Sequence, residues 1–226
     1  MVREIFRQDL EQVGDDLVLM AQKVRTAMQD ATTALTTGDL GLAERVIAAD
    51  RDIDQVQDSL DAQCVTLLAR QAPVATDLRV VVTGLRLSAT LERMGDLARH
   101  VAEVARGRYP ALALPPLATD LFDQVVTAVN AVADDVVKLL EGHDLNLASQ
   151  VLEDDDQLDA LHKETFRLML APSADVSGLS AQQLVDITLL GRYFERFGDH
   201  GVSVARRIMF LVTGDPFVRE EPLTTI

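Results

Sequence analysis

At 226 residues, 48% of them apolar, the chain can build a real core, but with seven Phe, two Tyr and no Trp it must fill that core with Leu, Val, Ala and Ile. Seven Pro and twelve Gly are too few for a disordered chain or for the turns of a β-sandwich, so helices are expected. The formal charge of −15 argues against nucleic acid and against an anionic membrane surface, and favours a metal cation or a basic patch on another protein.

The N-terminus (MVREIFRQDL) lacks the apolar core of a signal peptide, and no run reaches the roughly eighteen apolar residues of a membrane span. A soluble, cytoplasmic protein is expected. The single cysteine, Cys64, excludes an internal disulfide and reads as a small buried apolar residue.

The first forty residues place Leu10, Val13, Leu17, Met20, Val24, Ala27, Ala31 and Ala34 at alternating steps of three and four, the stripe of a helix in a bundle. Gly38 should end this helix and Asp39 cap the next. The second helix carries Leu42, Val46, Ala49, Ile53, Val56 and Leu60, and Pro73 should open a third. Gly107, Pro110, Pro115 and Pro116 mark a joint.

From Ala118 the pattern starts again. Adding 105 to Leu17, Met20, Val24, Ala27, Ala31 and Ala34 gives Phe122, Val125, Val129, Val132, Val136 and Leu139. At the same offset Asp39, Leu40, Leu42, Ala43, Val46, Asp50 and Asp54 return as Asp144, Leu145, Leu147, Ala148, Val151, Asp155 and Asp159. Gly142 is the expected stop of the fourth helix. Pro172, Ser173 and Gly178 should separate the last two, and Gly214 with Pro216 should end the sixth. The third segments repeat at an offset of 103, LERMGD (Leu91 to Asp96) against FERFGD (Phe194 to Asp199).

The chain is therefore an internal repeat. The expected architecture is all-α: a first three-helix repeat over 1–106, a joint over 107–117, a second repeat over 118–216 and a tail over 217–226.

Four acidic pairs at i and i+4 occupy matching places: Asp50/Asp54, Glu92/Asp96, Asp155/Asp159 and Glu195/Asp199. That spacing stacks two carboxylates on one helix face, where they repel by a few tenths of a kcal/mol. A multivalent cation reverses the sign, since hard cations prefer clustered carboxylate oxygens, and neighbouring helices of a bundle can bring two pairs together.

Two further pairs, Glu11/Asp15 and Asp54/Asp58, bring the total to what random placement of 36 acids would give, so placement carries the argument and number does not. The stripe Leu78, Val82, Leu85, Ala89 extends onto Glu92 and Asp96, giving the first repeat the better case for burial. The matching line in the second, Ala181, Val185, Thr188 and Arg192, is more polar.

A solvated or Arg-paired face is the competing reading, with Arg93 and Arg196 directly after the glutamates. Gly95 and Gly198 each cost their helix about 1 kcal/mol against Ala, and a close helix approach beside the acids would explain both. His100 shares the face of Glu92 and Asp96, whereas His200 points about 100° from Asp199. The E-x-x-H pairing of di-iron bundles, G-x-S-x-G, a Walker A loop and H-E-x-x-H are all absent.

The stretches ARQAPVATDLR (Ala69 to Arg79), LERMGDLARHVAEVA, EDDDQLDALHKETFRLML and RYFERFGDHGVSVARRIMFLVTGD resemble the PhoU family of phosphate-uptake regulators over nearly the whole chain. The resemblance implies two tandem three-helix bundles whose E/D-x-x-x-D motifs hold a divalent or trivalent metal (iron, zinc, manganese or magnesium). Its ligands here would be Asp50, Asp54, Glu92, Asp96, Asp155, Asp159, Glu195 and Asp199. His100 stands where the family more often has an amide.

The resemblance further implies a non-catalytic cytoplasmic regulator, a homodimer, that meets the membrane only through partners. Those partners are the ATPase subunit of the phosphate ABC importer and a sensor histidine kinase held off when phosphate is plentiful. A metal-dependent hydrolase or oxidase on the same carboxylates, and a purely structural oligomerisation module, are the alternatives.

Overall fold

The computed structural model describes residues 2–170 and 178–215. Pro172, Ser173, Pro216 and the tail 217–226 lie outside the described residues. Six helices follow one another: α1 Val2–Thr37, α2 Leu40–Gln71, α3 Ala75–Arg108, α4 Pro116–Gly142, α5 Leu145–Leu170 and α6 Ala181–Thr213. No strand occurs among the described residues. The all-α, twice-repeated architecture read from the sequence is the one observed.

The stripe expected of α1 is its core face, with Val13, Leu17, Met20, Val24, Ala31 and Ala34 buried. Its repeat, Phe122, Val125, Val129, Val136 and Leu139, is buried in α4. Cys64 is buried too, and burial, with Asp61 nearby, pushes its thiol up to about 11, so it sits as a neutral apolar group.

Caps follow the repeat. Gly38 takes φ 71°, and the Asp39 carboxylate accepts from the Leu42 N–H at 2.9 Å. Asp144 accepts from Asn146 N–H at 2.8 Å.

Gly142, however, is the last residue of α4, and the left-handed position falls on His143 (φ 50°). The offset of 105 maps Gly38 onto His143, so the backbone keeps its turn where the glycine has moved by one. A side chain in that conformation is strained by roughly 1–2 kcal/mol. We predict that His143→Gly raises stability in urea by about 1 kcal/mol.

The connections are shorter than expected. Helix α3 runs through Gly107 to Arg108, which leaves 109–115 as the joint, and Pro73 lies between α2 and α3, since α3 begins at Ala75. Ser180 and Gln183 form a capping box at the start of α6.

Helices α2 and α5 pack only within their own halves, whereas α1 packs on α4 and α3 on α6 across the repeat boundary. One core cluster spans both halves. The central pairs cross antiparallel: Gln29 donates to its own repeat equivalent, Asp134, at 3.4 Å, and Gln22 to Glu141 at 3.2 Å. On the other side His100 of α3 stacks against Tyr193 of α6, and Arg108 pairs with Asp186. The outer helices α2 and α5 therefore present their acidic pairs to α3 and α6 at opposite flanks of one body.

Candidate functional site

Each acidic cluster is built on a close crossing of two helices. A Cβ added to Gly95 of α3 would lie 3.0 Å from Ile53 Cδ1 and 3.8 Å from Asp50 Oδ1 of α2. A Cβ on Gly198 of α6 would lie 2.8 Å from Leu158 Cδ1 and 3.3 Å from Asp155 Oδ1 of α5. The glycines thus let the backbone approach beside the first carboxylate of each pair, as their sequence position implied. We expect Gly198→Val to destabilise by about 2 kcal/mol in urea, because Leu158 is buried and cannot withdraw without opening the core.

The four carboxylates of each half share one electrostatic field. Burial raises Asp50 and Glu92 first; Arg99 opposes the rise at Asp50, the charge of Asp96 adds to both, and Glu92 also feels Asp54 and Asp50 across the crossing. In the second half burial and then Asp199 and Asp159 push Asp155 up to about 6. Burial, then Asp199, pushes Glu195 up to about 7. Burial and Asp159 raise Asp199 as well.

The expected order of burial is reversed. Leu78 is 40% exposed and Ala89 is exposed, so the line drawn through them is not the core face of α3. The true face is Val81, Gly84, Leu87, Leu91, Met94 and Ala98, which places Glu92 and Asp96 at its half-buried margin. The Glu92 side chain is 19% exposed and that of Glu195 12%. The second half therefore carries the more deeply buried glutamate and the stronger carboxylate shifts.

The two halves also differ in their cations. In the first, Arg99 of α3 spans both helices: Nε donates to Asp50 Oδ2 at 2.7 Å and Nη2 to Asp96 Oδ1 at 2.8 Å. Nη1 donates to Glu103 Oε1, also at 2.8 Å. Arg93 stands 3.5 Å from Glu92 and 3.4 Å from Asp96.

In the second half Arg192, one turn before Glu195, pairs with it, and exposed Lys163 reaches Asp159 only at 4.0 Å. The second glutamate oxygen, Glu195 Oε2, is buried with no hydrogen-bond partner. Arg196, the neighbour expected to pair, lowers Glu195 through its charge but forms no ion pair within 4.0 Å among the described residues.

His100 turns from the acids onto the Tyr193 ring, 5.2 Å between centroids. His200 is held neutral, down to about 4, by burial and then by Arg196, Arg207 and Arg93. Among the described residues no three Asp, Glu, His or Cys side chains converge as a ready ligand set.

Both repeats have counterparts in known proteins. A family model described as the PhoU domain matches residues 17–105 and again residues 122–208. The chain belongs to the PhoU family. It is 37% identical over 213 residues to phosphate-specific transport system accessory protein PhoU homolog 2 of Mycobacterium tuberculosis, covering 94% of this chain and 99% of that protein. The PhoU homolog of Clostridium acetobutylicum is 30% identical over 216 residues, 95% of this chain and 97% of that one.

Among solved structures, PhoU from Pseudomonas aeruginosa superposes with a TM-score of 0.80 at 30% identity, covering 93% of this chain and 100% of that chain. The phosphate transport system regulatory protein PhoU from Streptococcus pneumoniae gives 0.78 at 26% identity, with 93% and 98% covered.

Each half of this PhoU-family chain can be tested against a bound cation on its own residues. The second half is the better fit: it offers raised carboxylates that a positive charge would relieve and the orphaned Glu195 Oε2. In the first half the guanidinium of Arg99 already takes up an oxygen of Asp50 and one of Asp96. Sequence reasoning missed Arg99 and Arg192. The signal was present, since Arg99 stands at i+3 from Asp96 and Arg192 at i−3 from Glu195.

Proposed function

We propose that this chain is a non-catalytic accessory regulator of a phosphate-specific transport system. It works in the cytoplasm, as a homodimer, on the ATPase subunit of the importer and on a sensor histidine kinase. Two things support the reading: both repeats match the PhoU domain, and the relatives at 37% identity, matched nearly end to end, are named as accessory proteins of such a system. No described helix is long and apolar enough to cross a membrane. The charge of −15 suits basic partner patches.

The acidic motifs enter as structural switches. Asp155 and Asp159 of α5 with Glu195 and Asp199 of α6 would hold a hard divalent or trivalent cation, which supplies the positive charge that the cluster lacks. The residues of this chain then do the rest: Gly198 keeps the crossing close, Arg192 orients Glu195, and neutralised carboxylates let α5 and α6 stay packed. The observation that carries this part is the buried, unpartnered Glu195 Oε2 among raised carboxylates.

The test is made in cells. Deleting the chain in phosphate-rich medium should raise phosphate uptake and switch on a starvation reporter, and a tagged copy should retain the importer ATPase and the kinase. Unchanged uptake and reporter, with neither protein retained, would refute the regulatory reading.

A further inference from the structure

We infer that the first repeat takes no metal: the Arg99 guanidinium is its built-in cation, and the chain's metal demand falls on the second repeat alone. The inference rests on the proposed cation site of the second half and extends it to the half where the residues do not fit. Three guanidinium nitrogens meet three carboxylates, Asp50 from α2 and Asp96 and Glu103 from α3, at 2.7, 2.8 and 2.8 Å. This is the charge-assisted, multidentate pairing for which arginine is suited. It bridges the two helices at the point where Gly95 brings them together.

A divalent ion sharing Asp50 and Asp96 at 2.0–2.6 Å, the usual range for a hard cation on oxygen, would stand directly beside the guanidinium. Two positive groups would then compete for the same oxygens. Arg93 adds a second positive charge at Glu92 and Asp96.

The repeat makes the comparison a controlled one. At the offset of 103, Arg99 corresponds to Val202, which is buried at 6% exposure, and Glu103 corresponds to Arg206. The second half therefore lacks both the bridging guanidinium and the glutamate that holds its third nitrogen. Arg206 lowers Asp155 and Asp199 through its charge but, among the described residues, forms no ion pair within 4.0 Å, so it does not span α5 and α6 as Arg99 spans α2 and α3. A spanning salt bridge and a metal would serve one purpose, neutralising the cluster and tying outer helix to inner helix.

The test follows Mn2+ on the full, chelator-stripped chain. In the parent, Asp50→Asn with Glu92→Gln should leave Mn2+ uptake by calorimetry unchanged; loss of uptake in that variant overturns the inference. By calorimetry, Glu195→Gln with Asp199→Asn should reduce Mn2+ uptake to less than about a tenth of the parent's, the scale expected when metal-holding groups are lost. Adding Arg99→Gln to that double variant should restore uptake, and Asp96→Asn should remove it again. Uptake that persists in the double variant and disappears with Asp50→Asn overturns the inference.

Should the parent take up no Mn2+, the cation reading of the second half fails by itself, and Arg99→Gln alone then decides. New uptake upholds Arg99 as the excluding group; none refutes it. Circular dichroism checks the fold of each variant, and Arg99→Val, which copies the second half, replaces Arg99→Gln if the latter does not fold.

Discussion

Stripped of metal and held near pH 8, the protein is expected to melt well below its Mn2+-saturated form, and mild acid should recover part of the difference. At about a hundredfold excess over Kd, a ligand that binds only the folded state stabilises it by about 2.7 kcal/mol, which is several degrees of melting temperature for a chain of this size.

Protons act on the same carboxylates. Glu195 is pushed up to about 7 and Asp155 to about 6 by burial and by their acidic neighbours, whereas the unfolded groups keep ordinary carboxylate values. The fold therefore binds protons more tightly than the unfolded chain. The stability this contributes is complete below the unfolded values and is lost as pH rises through 6 and 7.

The histidines act in the opposite sense. His200, held down to about 4 by burial and nearby arginines, and His162, also lowered, keep their stabilising neutral forms above the usual histidine range and lose that contribution in acid. Stability of the stripped protein should thus rise from about pH 8 to about pH 6, by roughly 1 kcal/mol given the partial exposure of the groups, and flatten below. Glu195→Gln should raise the pH 8 melting temperature of the stripped protein and flatten its pH profile. A parent profile that is flat in chelator from pH 8 to pH 6 would remove the uncompensated cluster from the account.

The fold was legible because aliphatic periodicity and an internal repeat are one-dimensional signals. Val13, Leu17, Met20 and Val24 are buried where the alternation of three and four placed them, and Phe122 to Leu139 follow at the predicted offset. The acidic pairs were found for the same reason, and Gly95 and Gly198 marked the crossings beside them.

What periodicity could not supply was the angular zero of α3 and α6. Leu78, Val82, Leu85 and Ala89 form a regular line, but on a helix packed by three others such a line can lie at the margin. Packing by α1, α2 and α6 selects the neighbouring line through Leu87, Leu91 and Met94 instead. The error transferred the burial argument to the wrong half. The cations escaped for a related reason. Arg99 acts on Asp50, a residue 49 positions away on another helix, and only the assembled crossing shows that one side chain reaches both.

The ion pair between Arg108 and Asp186 was likewise invisible in sequence, and its loss should produce a large effect from a single substitution. Arg108 ends α3 and Asp186 lies near the start of α6, so the pair clamps the antiparallel crossing where the two repeats meet. The guanidinium engages both carboxylate oxygens, with Nη2 at 3.0 Å from Oδ1, and Gln182 donates to that same oxygen at 3.0 Å.

The partners are unequally buried. The Asp186 side chain is 3% exposed, that of Arg108 29%. Arg108→Ala leaves a carboxylate in the interior with one amide for company, and is expected to destabilise by about 3 kcal/mol, the low end for a broken buried pair. Asp186→Ala frees an arginine that can swing into solvent, and should destabilise by only about half as much.

Replacing both, as Arg108→Met with Asp186→Leu, removes the stranded charge and should recover most of the loss, because desolvating an ion pair offsets much of its attraction. Urea denaturation of the four proteins forms the cycle. Equal effects from the two single alanine variants would show that Asp186 is not stranded and that the clamp is a surface contact.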